Sequence, residues 1–400
     1  MSSAGRPGQS PLLVVALAAA AVAVGHGFGR LTYAFVLPAM VTDLVGSYGR
    51  AGLLGTANLG AYLLGVLVVV SRSGAVSLAA FLRVGLLGAT AGLVCLATAS
   101  SYAALLVGMV LTGGFNAAIW VPASALVATA VPARLRGLSA GALGVGVGLA
   151  VVTAGAVTRL VQERLGPDAW RPVWAVTAAL SVVVLIAFAG LLRPMPASGQ
   201  RVRLRASVLA RLPGAPALVV TYASFAFGYV VYASYLVAAL RDDAGYSPAG
   251  AAAVYGTTGL TGIVGGLLVG RLSDRTGRRR VLVGGHVLLA ACAAAVLLGA
   301  GPWVVVSAAA FGVFSSGLPA AVAAYVADHL EPAGVAAAFG VVTLAFGVSQ
   351  TVGPPVGGLL ADLTGSFRST FALVAAVHLV GAVSAVLLPD DVPDLAPPAP

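Results

Sequence analysis

The sequence predicts an all-α membrane protein with about twelve transmembrane helices in two pseudo-symmetric six-helix halves. Three observations predict it. Of 400 residues, 60% are apolar and only 8% are charged, against about a quarter charged in a soluble domain. Mean hydropathy is +1.02, so there is too little polar surface to coat a water-soluble globule of this size. The apolar runs reach the roughly 20 residues needed to cross a bilayer. They do not alternate as barrel strands would, which leaves helices to satisfy the spanning backbone. Short motifs also recur about halfway along the chain.

The first span is expected at 12–40. Arg6 followed by the apolar stretch from Leu12 to Val24 has the look of a secretory leader. The apolar pattern resumes at once from Leu31 to Met40, so a retained span is the better reading. Span 2, at 50–70, ends at Ser71-Arg72-Ser73-Gly74. Spans 3 and 4, at 75–99 and 101–130, lead to Val131-Pro132-Ala133-Arg134. Spans 5 and 6 follow at 138–160 and 172–192. A segment at 193–215 carries Arg193, Arg201, Arg203, Arg205 and Arg211 and several prolines. It is read as a cytoplasmic linker between a half at 1–192 and a half at 216–388. The second set of spans is expected at 216–240, 250–270, 281–299, 303–328, 335–361 and 369–388. The Pro-rich tail at 389–400 is read as disordered.

The halves resemble each other. Tyr33-Ala34 recurs as Tyr232-Ala233, Ala51-Gly52 as Ala249-Gly250, Arg72-Ser73-Gly74 as Arg275-Thr276-Gly277, and Pro132-Ala133 as Pro332-Ala333. The order is kept along the chain, as in many duplicated transporters.

The net charge is +10, yet the basic residues are all Arg and most lie in short gaps between apolar runs. With the N-terminus inside, the inner gaps hold Arg6, Arg72, Arg134, Arg136, the five linker arginines, Arg271, Arg275, Arg278, Arg279 and Arg280. The outer gaps hold only Arg50, Arg159, Arg164, Arg171, Arg241 and Arg368. This bias predicts both termini in the cytoplasm, and nucleic acid is not an expected partner. Cys95 and Cys292 both fall inside apolar runs, so no disulfide framework is expected.

The strongest local motif is Gly270-Arg-Leu-Ser-Asp274-Arg275-Thr-Gly277-Arg278-Arg279-Arg280, expected as a loop between spans 8 and 9. Gly270 would permit close helix approach and Gly277 a tight turn. Asp274 sits among cations as an acceptor of charge-assisted hydrogen bonds. The motif resembles the G-x-L-x-D-R-x-G-R-R-R loop of the major facilitator superfamily. That resemblance implies the superfamily's two-half fold, a monomer, and a loop that gates alternating access. In the first half Ser71 stands at the Asp274 position, so the gating contact falls to the second half. Span 5 carries Gly141, Gly144, Gly146 and Gly148 but lacks the proline and paired glycines of the antiporter signature. Gly27-Phe-Gly29-Arg30-Leu-Thr-Tyr33 through Leu37-Pro38-Ala-Met40, followed by Asn58-Leu-Gly60-Ala-Tyr62, resembles the YbfB/YjiJ-type branch of the superfamily.

Arg30 lies too deep in span 1 for easy snorkelling, which makes it a functional candidate. His26 and Tyr33 are about one helical turn to either side, so all three are expected on one face. The superfamily resemblance places spans 1, 4, 7 and 10 around a central cavity. An Arg there suits a carboxylate, sulfonate or phosphate; a structural Arg bonded to carbonyls is the alternative. Span 4 offers Asn116 and Trp120. Span 7 offers an aromatic stripe that includes Tyr222, Phe225, Tyr229, Tyr232 and Tyr235, and span 11 offers Gln350. Asn58 is a further buried polar candidate. No Asp or Glu falls in the middle of any expected span, which favours a small organic anion over a cationic drug. Any coupled proton would then run through His26 or through the substrate's own acid group.

The expectation is a secondary active transporter of a small molecule in a bacterial plasma membrane, working by alternating access. Two alternatives are efflux of drugs or a natural product, and a membrane receptor that has lost transport. The sequence holds no metal-ligand spacing, phosphate-binding Gly-Lys-Ser/Thr loop or nucleophile–base pair, so neither an enzyme nor a cofactor is expected.

Overall fold

A computed structural model describes residues 10–130, 136–192 and 206–389. Arg6, Pro132 and Arg134, most of the expected linker and the tail beyond Pro389 lie outside these residues.

Among the described residues, twelve helices are long and apolar enough to cross a membrane. They run Pro11–Val45, Tyr48–Ser71, Leu78–Ala97, Tyr102–Ala130, Arg136–Leu165 and Trp170–Leu191, then Ala215–Asp242, Pro248–Thr276, Arg278–Val296, Pro302–His329, Pro332–Thr364 and Arg368–Val386. The protein is thus an integral membrane protein, and these helices are spans 1 to 12 in chain order. Local chemistry sets their starts. Ser47, Ser77 and Ser247 each accept a hydrogen bond from the backbone N–H three residues on, at 3.1–3.2 Å. These capping bonds satisfy donors that the first helical turn leaves orphaned. Spans 8, 10 and 11 open on a proline, whose missing N–H costs nothing there.

Pairing repeats with a shift of six spans. In the first set span 2 packs on 4, 3 on 4, 3 on 6, and 1 on 5; in the second, 8 packs on 10, 9 on 10, 9 on 12, and 7 on 11. The two sets meet where span 2 packs on 11, span 5 on 8, and span 1 on 7. Even end contacts are echoed. Asp43 at the end of span 1 accepts from Trp170 Nε1 at 3.0 Å and Arg171 Nη1 at 2.7 Å. Asp243 beyond span 7 accepts from Ser366 Oγ at 2.8 Å and the Phe367 N–H at 2.7 Å.

The seam between the sets is tight at the end that carries Gly46 and Ser47, the outer end on the arginine bias. There Asp362 at the end of span 11 accepts from the Tyr48 N–H at 2.9 Å and the Gly49 N–H at 2.7 Å. Tyr48 also donates its hydroxyl to Asp242. Tyr235 of span 7 donates to the Pro354 carbonyl at 2.6 Å, and a Cβ on Gly52 would strike the Pro354 and Pro355 backbone. Small residues allow this approach between backbones. Nearer the opposite end, Gly141 and Gly144 of span 5 and Gly270 of span 8 would each carry a Cβ that meets nothing within 4 Å.

Two sequence expectations are corrected. Gly270 serves no close helix approach among the described residues, because a Cβ there would meet nothing within 4 Å. The basic motif is also not a loop. Span 8 stays helical to Thr276, Gly277 alone breaks it at φ 96°, and Arg278 to Arg280 form the first turn of span 9. A single left-handed glycine suffices because its missing Cβ removes the clash that any other residue would meet there.

Candidate functional site

Span 1 is not a uniform α-helix. Ala23–Leu31 and Val41–Val45 are π-helical, a rare geometry that concentrates at functional sites. Three glycines, Gly25, Gly27 and Gly29, weaken the α-helix in the first of these stretches. They also admit neighbours: a Cβ at Gly25 would run into Asn116 and Ile119 of span 4, and one at Gly27 into Ala150 of span 5. The wider turns change the register. Arg30 and Tyr33 still share one cavity wall, whereas His26 turns aside to pack on Trp120.

Arg30 points across the seam. Its Nη2 donates to Gln350 Oε1 of span 11 at 2.6 Å, and its Cζ lies 6.0 Å from the centre of the Tyr229 ring on span 7. Among the described residues no carboxylate pairs with it. A cation at mid-membrane depth costs about 3 kcal/mol on insertion scales, and one amide oxygen and a ring face leave most of its donors free for a ligand. Arg30 lines a small cavity between the two sets of helices, with Tyr33, Ala34, Asn58, Met109, Tyr229, Ala233, Ser234, Tyr255 and Pro354 on its wall. Pro354 belongs to the tight end of the seam, so the cavity sits directly beneath that closure.

The other sequence candidates divide. Tyr33 lines the cavity, but its hydroxyl is spent on the Ala51 carbonyl at 2.7 Å. Tyr229 lines it, and Gln350 reaches it through Arg30. His26 packs on Trp120 instead, ring centres 4.9 Å apart. Its Nδ1 and both side-chain polar atoms of buried Asn116 have no hydrogen-bond partner among the described residues. This trio lies beside the cavity rather than on its wall. Tyr232 is fully buried, stacked on Phe311 at 3.8 Å and edge-on to Phe371, so the structure does not bring it to the cavity. Asn58 is a helix staple: its Nδ2 donates to the Gly29 carbonyl at 3.2 Å, the Met109 carbonyl at 3.2 Å and Thr112 Oγ1 at 2.9 Å. Sequence reasoning missed Tyr255, which faces the cavity from span 8 and stands edge-on to Phe35. No local pattern marks it; only the packing of span 8 on span 5 brings it in.

The basic motif forms a separate cluster. Arg278 pairs with Asp274 and, through Nε at 2.9 Å, with Asp328 at the end of span 10. Arg278 also donates to Ser273 Oγ at 3.1 Å. Arg275 belongs to the last turn of span 8. This clamp ties spans 8, 9 and 10 to one another within the second set.

The family model described as "Uncharacterised MFS-type transporter YbfB" matches residues 22–387. The bovine (Bos taurus) Monocarboxylate transporter 13 is 29% identical over 263 residues, 64% of this chain and 61% of that protein. The chain thus spans less than two thirds of that relative's length. Among solved structures, a bacterial homolog of the human lysosomal transporter Spinster, in an inward-facing and unoccupied conformation, aligns with a TM-score of 0.71 and 16% identity. That alignment covers 96% of this chain and 95% of the other. The nucleoside transporter NupG aligns with a TM-score of 0.72 and 14% identity over 94% and 98% of the two chains. At these identities the two structures establish a shared fold.

Proposed function

The chain belongs to the family of major-facilitator-type transporters represented by YbfB, and on that premise we propose that it carries a small organic monocarboxylate by secondary active transport, with Arg30 as the anchor of the anion. The single observation that carries this reading is Arg30 itself, a guanidinium in the cavity between the halves with no carboxylate partner among the described residues. A guanidinium binds a carboxylate through two parallel hydrogen bonds, stronger than those to neutral acceptors. The name of the bovine relative supports the same substrate class. Tyr229 and Tyr255 offer ring faces and edges for the substrate's body, and among the described residues no Asp or Glu is buried to repel it.

The two six-helix halves, 1–192 and 216–388, act as the moving bodies. The closure by Tyr48, Asp242 and Asp362 is the outer gate, and the Asp274–Arg278–Asp328 clamp stiffens the inner end of the second half. The carrier works as a monomer in a bacterial plasma membrane with both termini cytoplasmic. Any coupled proton travels on His26, whose Nδ1 has no hydrogen-bond partner among the described residues, or on the substrate's own acid group.

Export of amphipathic compounds is the competing reading, favoured by the aromatic lining. Thermal stabilisation of the detergent-purified protein by a mixed panel of organic acids and amphipathic drugs separates the two, because a ligand of the folded state raises its apparent stability. Acids that stabilise the wild type but not Arg30→Gln support the carboxylate reading. Stabilisation by amphipathic compounds alone, equal in both proteins, would replace it with export.

A further inference from the structure

We propose that Gln350 is a built-in stand-in for the transported anion: its amide oxygen holds Arg30, and the substrate's carboxylate takes that place by displacing it. This rests on the reading of Arg30 as the anion anchor. The Arg30–Gln350 bond is 2.6 Å long and joins residues 320 apart in sequence, one on span 1 and one on span 11. Gln350 is 1% exposed, so the amide is committed to the interior. An amide oxygen presents the same sp² acceptor as a carboxylate oxygen, without the charge and without the second oxygen.

Two consequences follow from that chemistry. A carboxylate outcompetes the amide, since it is charged and accepts in two places; a neutral carbonyl compound gains little over the group it must evict. Gln350 thus filters for anions. The bond also crosses the seam between the halves. Just beyond it, Thr56 donates to the Thr351 carbonyl at 2.8 Å, and the Pro354 closure follows on the same helix. Evicting Gln350 removes a tether immediately below the gate. The ligand thereby interacts differently with the joined and the parted arrangement, which is what a ligand-driven change of state requires.

The test uses the full-length protein in detergent, titrated with pyruvate, lactate and benzoate and followed by intrinsic tryptophan fluorescence and thermal stability. Wild type, Gln350→Met, Gln350→Glu and Arg30→Gln are compared. Gln350→Met keeps the volume and removes the acceptor; it is expected to bind the best acid five- to tenfold more tightly than wild type. Gln350→Glu supplies a permanent carboxylate to Arg30; it is expected to lose at least 100-fold in affinity while remaining at least as thermostable as wild type. If wild type binds an acid through Arg30 and both Gln350 variants bind it with unchanged affinity, the stand-in is refuted and the anchor survives. If no acid binds wild type or Gln350→Met, and Arg30→Gln behaves identically, the anchor itself fails and the stand-in with it.

Discussion

Arg30 and Tyr229 occupy matched positions in the two halves and face each other across the central cavity. Tyr33-Ala34 and Tyr232-Ala233 set an offset of 199 residues between spans 1 and 7, and the same offset carries Arg30 onto Tyr229. Ala34 and Ala233, which differ by the same offset, both line the cavity. Duplication has placed a cation and an aromatic ring at equivalent sites, with Cζ 6.0 Å from the ring centre. Two equivalent positions thus carry unlike side chains, one cationic and one aromatic.

The ring should matter less than the charge. Cation–π contacts are worth about 0.5–1 kcal/mol at accessible sites, so Tyr229→Ala is expected to weaken carboxylate binding about two- to fivefold. Tyr229→Phe, which keeps the ring face, should stay within twofold of wild type. Equilibrium titration of the purified variants checks both.

Arg30→Lys tests geometry apart from charge. Lysine keeps the cation but loses the planar fork that matches a carboxylate. The expected outcome is an intermediate loss, about tenfold in affinity, against at least 100-fold for Arg30→Gln. Equal losses in the two variants would mean that charge alone is insufficient and that the two-point contact decides.

The outer closure predicts a change of state rather than unfolding when Gly52 is enlarged. A Cβ there would strike the backbone of Pro354 and Pro355 in the opposite half, and the proposed alternating-access motion relieves the clash by parting the halves. Gly52→Val is therefore expected to speed labelling of a cysteine at position 351 by an impermeant maleimide added from outside, severalfold over the parent, in a background lacking Cys95 and Cys292. Asp362→Asn should act in the same direction but more weakly, because it removes the charge and keeps an acceptor for the Tyr48 and Gly49 amides.

Gly113 provides the contrast. Its missing Cβ would fall on the Asn58 carbonyl within one half, where no domain motion relieves the clash. Gly113→Val should lower the midpoint of thermal unfolding in detergent by several degrees without raising labelling at position 351.

Much of the fold was legible because a bilayer imposes a length and a polarity on every span. The apolar runs gave all twelve helices, and the recurrence of Tyr33-Ala34 as Tyr232-Ala233 marked the duplication. Arg30, Tyr229 and Gln350 were legible as polar or aromatic residues where lipid should be. The departure of His26 from the wall that Arg30 and Tyr33 share was not, because glycine-rich π-helical turns shift the register that α-helical spacing assumes. Tyr232 was misplaced because a stripe along a helix does not say which residues turn toward the bundle's own interior. Tyr255 and the Asp362–Tyr48 closure arise from contacts between spans far apart in sequence, and neither leaves a local trace.

The most direct test of the central claim is uptake of a radiolabelled monocarboxylate into proteoliposomes containing wild type or Arg30→Gln at matched, verified amounts. The account predicts saturable uptake by wild type, competed by other small acids, and a rate near that of empty liposomes for Arg30→Gln. Uptake by Arg30→Gln at the wild-type rate would contradict it.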